Sequence, residues 1–567
     1  MTVLQCRSPS VGWASARPFQ LSPHSNISKK RIPLPPFLCQ NSDFSPNFTQ
    51  SMTAFHRFLP LFGFLAANAT FAAKAPNIIL ILADDMGPGE PSHMCGLVPT
   101  PALDRMAKEG MRFTDAHTTS SVCTPTRYGI LTGRYNWRSR LKRSVLFRPT
   151  EKALMDPERV NLPTFLQQKG YHTGMVGKWH LGADWELLEK RPEGPDRKDD
   201  SWRIDYSKPF RNGPVDVGFD EAFFILSSLD MAPYLYLRNN KSLSIPTVNA
   251  GWPHNEYNNY KRVGAGAADF DAHTCLADFA RESREYIQRQ ADDKEKPFFL
   301  YVPLTSPHTP CTPGKKFKGK FPQYSLYADL VAETDWVVEE ILEQVAESGI
   351  DNDTMVIYTS DNGFAPYVKI PKMLAAGYKP SGDWRGSKAT IFEGGHRVPF
   401  LVRWPGKVKA GSVSDVTVCT TDFFATFADL LDAKSCVPED AAEDSFSFLS
   451  SLNGKKDAIR PFTIHHSISG TFAIRKGDWK LILSKGAGGG WSKMEVDAKV
   501  VQLYNLADDP AETRNLENCH PEKIQELVKD LATAFRNGRT TPGPQQSNEG
   551  WPFLDKKMMA LFPELAE

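Results

Sequence analysis

The stretch NIILILA, residues 77–83, constrains the fold more strongly than any other part of the sequence. Its apolar residues follow one another without a polar break, which is typical of a strand buried on both faces of a sheet. Two similar runs, PFFLYVPL at 297–304 and TMVIYTS at 354–360, are separated from it by segments with helical periodicity. Strands that alternate with helices predict an α/β fold, a layered sheet flanked by helices.

Helix signals lie between these strands. Thr100 stands at an N-cap position, Pro101 at the first helical position, and Gly110 where the helix should end. Residues 327–345 repeat apolar side chains at intervals of three and four, which predicts a long amphipathic helix. Residues 161–180 repeat the pattern of a helix followed by a strand.

The composition changes near residues 433–452. Beyond this point, residues 471–484 indicate a hairpin and residues 520–538 one amphipathic helix. We therefore expect a catalytic domain over 74–435 and a smaller α+β domain, an antiparallel sheet plus a helix, over 436–567.

The N-terminal region has the character of a leader. Residues 1–51 are polar and rich in Pro and Ser, which indicates disorder or a misassigned start codon. Residues 52–73 have His56 and Arg57 near their start, followed by a short apolar run and by small residues at 67–69. A secretory signal peptide has the same features. The alternative is a buried apolar segment. We expect a protein without stable membrane insertion that is exported to a periplasm, the medium or a lysosome-like lumen.

Charge and cysteine content add two expectations. With 67 basic and 66 acidic residues, the net charge of +1 gives no reason to expect nucleic acid as a partner. Nine cysteines are present, and seven lie after the predicted leader. If Cys123 serves in chemistry, the other six could form up to three disulfides, or most could be buried free thiols.

Polar residues that follow the predicted strands form two sets. In open α/β sheets ligands bind beyond the carboxyl ends of the strands, so these residues are candidates for a site. The oxygen-rich set favours Ca²⁺ or Mg²⁺ over zinc, although an Asp pair is also common in turns and caps. The cationic set suits a tetrahedral anion, although each member is also compatible with a solvated charge or a buried histidine. The oxygen-rich set is Asp84, Asp85, Asp361 and Asn362, and the cationic set is Arg127, Lys178, His180, His308 and Lys388.

The stretch SVCTPTRYGILTGRY, residues 121–135, contains the most specific motif. A thiol four residues before Arg127 is compatible with an activated nucleophile, a disulfide partner or a modification site. The pattern C-x-P-x-R, continued by LTGR, resembles the sulfatase signature, in which the cysteine is oxidised to Cα-formylglycine. Further blocks resemble that family in the same order: GKWHLG at 177–182, SPHTP at 306–310, SDNG at 360–363, WRGSKATIFEGGHRVP at 384–399 and LYNLADDPAETRNL at 503–516.

The resemblance covers residues of about 76–540 and implies an alkaline-phosphatase-like fold, a layered mixed sheet flanked by helices. It implies that a formylglycine-generating enzyme modifies Cys123, and that the hydrated aldehyde attacks a sulfate ester. Calcium, or less readily magnesium, would be held by Asp84, Asp85, Asp361, Asn362 and the modified Cys123. Arg127 and Lys178 would steady the hydrate, and His180 would be its base. Lys178, His308 and Lys388 would bind the sulfate, and His308 or Lys388 would protonate the leaving oxygen.

Two other functions remain open at this point. The first is hydrolysis of phosphate or phosphonate esters on the same fold, and the second is binding of sulfated polysaccharide without catalysis. For a sulfatase, we expect an aryl or carbohydrate sulfate as substrate. The loops 184–209 and 234–272 are expected near the mouth of the site, where Trp252, His254, Tyr257 and Tyr260 could stack on sugar rings or merely pack the loop.

Overall fold

The computed structural model describes residues 75–194, 197–251, 262–368, 370–490 and 499–566. Residues 1–73, which include the predicted signal peptide at 52–73, lie outside these ranges, and so do Trp252, His254, Tyr257 and Tyr260. Within these ranges, every helix is too short or too polar to cross a membrane.

Among the described residues from 75 to about 430, strands are interspersed with helices, as the sequence predicts, although the five strands between Glu221 and Gly266 follow one another without an α-helix. The strands are β1 (Asn77–Asp84), β2 (Met111–Phe113), β3 (Ala116–His117), β4 (His172–Lys178), β5 (Glu221–Ile225), β6 (Leu237–Arg238), β7 (Lys241–Ser242), β8 (Val248–Gly251), β9 (Val263–Gly266), β10 (Phe298–Pro307), β11 (Thr354–Ser360), β12 (Phe400–Arg403), β13 (Ser412–Ser414), β14 (Val418–Cys419), β15 (Thr463–His466), β16 (Phe472–Lys476), β17 (Trp479–Leu483) and β18 (Val501–Asn505). The helices are α1 (Pro101–Glu109), α2 (Cys123–Thr132), α3 (Leu162–Gln168), α4 (Cys275–Asp292), α5 (Leu326–Glu347), α6 (Pro371–Ala375), α7 (Glu393–His396), α8 (Phe423–Leu430), α9 (Leu449–Leu452), α10 (Pro521–Asn537) and α11 (Lys556–Leu561).

The central sheet has ten strands in the order β13-β2-β12-β11-β1-β10-β4-β5-β6-β7. Its five middle strands, from β11 to β5, are parallel, whereas β12 and β6 run antiparallel to their inner neighbours. The carboxyl ends of β11, β1, β10, β4 and β5 therefore meet at one edge. The predicted layered mixed sheet is confirmed.

Strand β1 is buried on both faces. Ile78, Leu80 and Leu82 belong to one apolar core, together with residues of α2, α3 and α8. Ile79 and Ile81 point the other way, into a second core with residues of α1, α4 and α5. This two-sided burial explains why the NIILILA run lacks polar alternation.

Helix α1 begins at Pro101 and ends before Gly110, as the sequence predicts. Its N-terminal amides, however, are not capped by the Thr100 side chain, which exchanges hydrogen bonds with Ser92. The amides of Ala102 and Leu103 instead donate to the two carboxylate oxygens of Asp335 on α5, at 3.1 and 2.9 Å. The cap thus comes from a residue more than two hundred positions away.

The C-terminal region contains a separate antiparallel sheet in the order β15-β16-β17-β18. One face packs on α10 through Ile474, Leu481 and Leu531. The other face packs on Ile391 and Phe392, in the segment just after Lys388. The predicted antiparallel sheet with a helix is therefore present, while the boundary at residue 435 stays a prediction.

The sequence leaves two expectations for the cysteines, up to three disulfides or mostly buried free thiols. Cys95, Cys123, Cys275, Cys311, Cys419 and Cys519 are free thiols, so no disulfide joins two cysteines within the described ranges. Four of them are buried.

Candidate active site

The residues selected from strand ends meet at the carboxyl edge of the central sheet. Asp84 is the last residue of β1, Lys178 the last of β4, and His308 directly follows β10. Asp361 and Asn362 directly follow β11. Parallel neighbouring strands deliver these side chains to one place, as expected for such sheets.

The acidic side chains form a tight buried group. Asp85 has a φ of 71°, in the left-handed region that few residues other than glycine adopt, so the chain turns sharply after β1. The amide of Asp85 donates to Asp361 Oδ1 at 3.1 Å, and Asn362 Nδ2 donates to Asp85 Oδ1 at 2.7 Å. Among the described residues, Asp84 Oδ1 and Asn362 Oδ1 are buried without a hydrogen-bond partner. A buried oxygen that accepts no hydrogen bond destabilises the folded state unless a ligand binds to it.

This donor set fits a hard divalent cation. Ligand atoms of Asp84, Cys123 and Asp361 all lie within 4.8 Å of one another. Burial and the neighbouring Asp84 raise the pKa of Asp361 to about 7. A bound cation would stabilise the ionised carboxylate and so lower this pKa. Carboxylate and amide oxygens are the ligands that Ca²⁺ and Mg²⁺ prefer.

Three buried cations surround the carboxylates. Arg127 donates from Nε and Nη2 to Asp361 Oδ2 at 3.0 and 2.7 Å, and from Nη1 to the carbonyl of Lys178 at 3.0 Å. Lys178 Nζ lies 2.6 Å from Asp84 Oδ2, and Lys388 Nζ lies 2.6 Å from Asp85 Oδ1. Burial opposes ionisation of Asp84, but Lys178, His308 and Arg127 still hold its pKa well below the usual value. The group therefore carries charges of both signs. Its carboxylates can bind a cation while its lysines and arginine bind an anion.

Cys123 is the first residue of α2 and is buried. Burial raises the pKa of its thiol, and Lys178 and Lys388 offset only part of this effect. A protonated thiol is a poor nucleophile. Cys123 is also a free thiol, so the structure does not make it a disulfide partner.

The two histidines occupy different positions. His180 Nε2 donates to the carbonyl of Leu146 at 3.0 Å, and its Nδ1 is buried without a partner in the described part of the chain. Burial and the charges of Lys178 and Arg127 hold the pKa of His180 well below its usual value, so Nδ1 carries a free lone pair. His308 Nε2 lies 3.6 Å from Asp85 Oδ2, and burial and the Lys388 charge lower its pKa.

Two further residues belong to this cluster and were missed by reasoning from the sequence. Ser228 Oγ lies 3.1 Å from Lys178 Nζ and 3.3 Å from His308 Nδ1. It follows β5, so recognising EAFFI as a strand would have found it. Tyr367 OH lies 3.1 Å from Asp85 Oδ2, 3.2 Å from Lys388 Nζ and 3.3 Å from His308 Nε2. No strand ends next to Tyr367, so no comparable signal pointed to it.

Comparisons with known proteins show which family this chain belongs to. Residues 76–433 match the family model described as Sulfatase, and residues 383–540 match the model for the C-terminal region of N-sulphoglucosamine sulphohydrolase. The chain is 33% identical over 500 residues to N-acetylgalactosamine-6-O-sulfatase of Bacteroides thetaiotaomicron, covering 81% of this chain and 93% of the relative. It is 31% identical over 404 residues to human N-acetylgalactosamine-6-sulfatase, covering 68% of this chain and 67% of the relative.

A solved structure gives the same result. A Bacteroides thetaiotaomicron protein described with the metabolism of multiple glycosaminoglycans aligns with a TM-score of 0.71 at 31% identity, covering 82% of this chain and 99% of that one. The Sulfatase model alone matches more than half of the chain. The chain therefore belongs to the sulfatase family and is a sulfuric ester hydrolase.

Proposed function

We propose that this sulfatase works through a formylglycine made from Cys123, with the residues grouped around it as its catalytic machinery. The observation that carries the proposal is the position of Cys123, a buried free thiol at the start of α2 whose Sγ lies within 4.8 Å of oxygens of Asp84 and Asp361. Helix N-terminal amides favour an anion at the same point.

The hydrated aldehyde supplies two hydroxyls on one carbon. The first hydroxyl gives up its proton and its oxygen attacks sulfur; the sulfur–oxygen bond of the ester breaks, and the leaving oxygen takes up a proton and departs as the alcohol, with no net change in protons. The second hydroxyl then loses its proton, the carbon–oxygen bond to sulfate breaks, and the aldehyde returns with release of sulfate. Water restores the hydrate. Covalent catalysis divides one difficult hydrolysis into two easier steps.

Side chains of this chain take the remaining roles. Arg127 and Lys178 orient the hydrate, and the lone pair of His180 Nδ1 takes the proton of the second hydroxyl. Lys178, His308 and Lys388 bind the sulfate oxygens, and His308 or Lys388 protonates the leaving oxygen.

We place Ca²⁺ among Asp84, Asp85, Asp361, Asn362 and the modified Cys123, with Mg²⁺ as the second choice. A bound ion would neutralise charge at the sulfuryl group and lower the pKa of a neighbouring hydroxyl. The orphaned oxygens of Asp84 and Asn362 support this placement.

A carbohydrate sulfate is the substrate class that we propose, because the relatives named above are N-acetylgalactosamine sulfatases. Small aryl sulfates should serve as assay substrates. Export, and maturation by a formylglycine-generating enzyme, complete the proposal and follow from the leader-like sequence and the C-x-P-x-R motif.

The mechanism is tested by changing Cys123. Cys123→Ala should abolish release of sulfate from 4-nitrocatechol sulfate while the far-UV circular dichroism stays native. Cys123→Ser should accept one sulfuryl group without turnover, because a serine has no second hydroxyl to expel it. Mass spectrometry of the wild-type peptide should show the aldehyde. An active enzyme that carries an ordinary thiol would contradict the mechanism.

The metal assignment is tested by binding. Chelator-treated protein should bind one Ca²⁺ in a calorimetric titration. Its free energy of unfolding should rise by about 2.7 kcal/mol at a Ca²⁺ concentration one hundred times the dissociation constant. Asp361→Asn should weaken this binding strongly, whereas Asp383→Asn, which changes an exposed acid, should not. Equal binding by both variants would place the ion elsewhere.

A further inference from the structure

The loop that follows β5 carries an acidic side chain whose position the mechanism does not explain. Asp230 is only 5% exposed, and its Oδ1 has no hydrogen-bond partner among the residues that the structure describes. Two positions earlier in the same loop, Ser228 contacts Lys178 and His308 of the active site. A buried carboxylate oxygen that accepts no hydrogen bond destabilises the folded state unless a ligand donates to it.

The chain neighbours of Asp230 contact the active site. The next residue, Met231, packs in one apolar cluster with Cys123, Val145 and Ala389. Burial raises the pKa of the Tyr367 hydroxyl most, and Asp85 raises it further. Asp230 makes a smaller contribution in the same direction. The residue two positions before Asp230 and the residue directly after it therefore both contact groups of the active site.

A donor and an aromatic face accompany this carboxylate. Arg262 Nη1 lies 3.7 Å from Asp230 Oδ2, too far for a hydrogen bond but close enough for an ion pair. The Arg262 guanidinium stands over the ring of Phe147, 5.6 Å from its centroid, and Phe147 is 46% exposed. Three chain segments thus bring an acceptor, a donor and an exposed aromatic ring to one point.

We propose that Asp230 and Arg262 form a subsite that recognises a hydroxyl of the sugar ring bearing the sulfate; this inference rests on the proposed function. A sugar hydroxyl is both a donor and an acceptor, so it can donate to Asp230 Oδ1 and accept from Arg262. The exposed face of Phe147 suits the apolar C–H face of the sugar. A site built to hydrogen-bond a hydroxyl discriminates strongly against a substrate that lacks it.

The inference predicts that Asp230 matters for sugar sulfates more than for aryl sulfates. The experiment compares kcat/KM for the 6-O-sulfates of N-acetylgalactosamine and galactose with kcat/KM for 4-nitrocatechol sulfate. In Asp230→Asn the ratio of sugar to aryl kcat/KM should fall by about tenfold to a hundredfold, mainly through KM. Arg262→Met, a change at a partly exposed side chain, should lower the same ratio. The matched control is Asp269→Asn, an exposed acid near the same region, which should preserve the ratio.

The outcomes separate this inference from the proposed function. If wild-type protein releases sulfate from none of the three compounds, the proposed function fails. If wild-type protein hydrolyses only the aryl sulfate, or if the ratio is unchanged in both Asp230→Asn and Arg262→Met, the subsite is overturned. A parallel fall of both kcat/KM values, with a lower melting temperature, would show that Asp230 only holds the loop, and this would also overturn it.

Discussion

At the scale of single residues, the hydroxyl of Tyr367 lies where three groups of the site meet. It contacts Asp85, Lys388 and His308, each at 3.1–3.3 Å. Such a hydroxyl fixes the directions of its neighbours more than it carries charge, so we regard Tyr367 as a positioning residue. The two residues it touches besides Asp85 are two of the three proposed to bind sulfate.

Tyr367→Phe is expected to lower kcat by about tenfold, since a hydrogen bond to a charged group contributes about 1.5–3 kcal/mol. KM should change little, and the pH profile of kcat should shift because His308 loses a neighbour. Steady-state kinetics with 4-nitrocatechol sulfate across pH measures both effects.

Tyr236→Phe is the matched control for this change. It removes a hydroxyl that donates to Asp278 at 2.9 Å, outside the site, and should leave kcat and its pH profile as they are. If Tyr367→Phe behaved like Tyr236→Phe, the positioning role would be wrong.

At the scale of elements, α1 depends on α5 for its N-terminal cap. Asp335 accepts from Ala102 and Leu103, and no capping hydrogen bond comes from Thr100. Asp335→Ala should lower the free energy of unfolding by about 1–2 kcal/mol, the usual effect of losing a cap. Asp335→Asn keeps one acceptor and should lose less.

Denaturant unfolding of wild type and both variants measures this difference. Because the Asp335 carboxylate accepts from the amides of Ala102 and Leu103 on α1, sulfate release per folded molecule should stay the same. An Asp335→Ala protein as stable as wild type would mean that water caps α1 equally well.

At the scale of the whole molecule, a buried ion network joins the C-terminal sheet to the catalytic region. Lys480, on β17, is fully buried; its Nζ lies 3.0 Å from Glu393 Oε1 on α7 and 2.8 Å from Glu512 Oε1. It also donates to His396 Nε2 at 3.1 Å. Burial opposes ionisation of Glu393, but Lys480 still holds its pKa well below the usual value.

Lys480→Met should reduce the free energy of unfolding by about 3–5 kcal/mol, because it removes the buried cation that Glu393 and Glu512 share. Glu393 nevertheless keeps its pairs with Arg397 and Arg475 through its other oxygen. Lys476→Met, one strand away, removes a lysine that is 39% exposed and pairs with Glu526 and Asp530, and should cost no more than about 1 kcal/mol. Chemical denaturation measures both. Similar losses in the two variants would mean that the buried network does not hold the two regions together.

The sequence by itself determined the parts of this protein that depend on neighbours along the chain. The apolar run at 77–83 became β1, Pro101 and Gly110 marked the ends of α1, and the periodic segment at 327–345 became α5. Strand ends also pointed to Asp84, Asp361, Lys178 and His308, because ligands gather at the carboxyl edge of such sheets. The motif around Cys123 pointed to the family.

Only the tertiary structure decided what depends on contacts between distant segments. Strand β1 pairs with β10 and β11, and that pairing brings Asp85 next to Tyr367 and Lys388. The cap from Asp335, the oxygen of Asp230 that lacks a hydrogen-bond partner among the described residues, and the free state of the six cysteines named above carry no local signal either. Propensity and periodicity act over a few residues, whereas these contacts join side chains whose positions are set by the packing of the whole sheet.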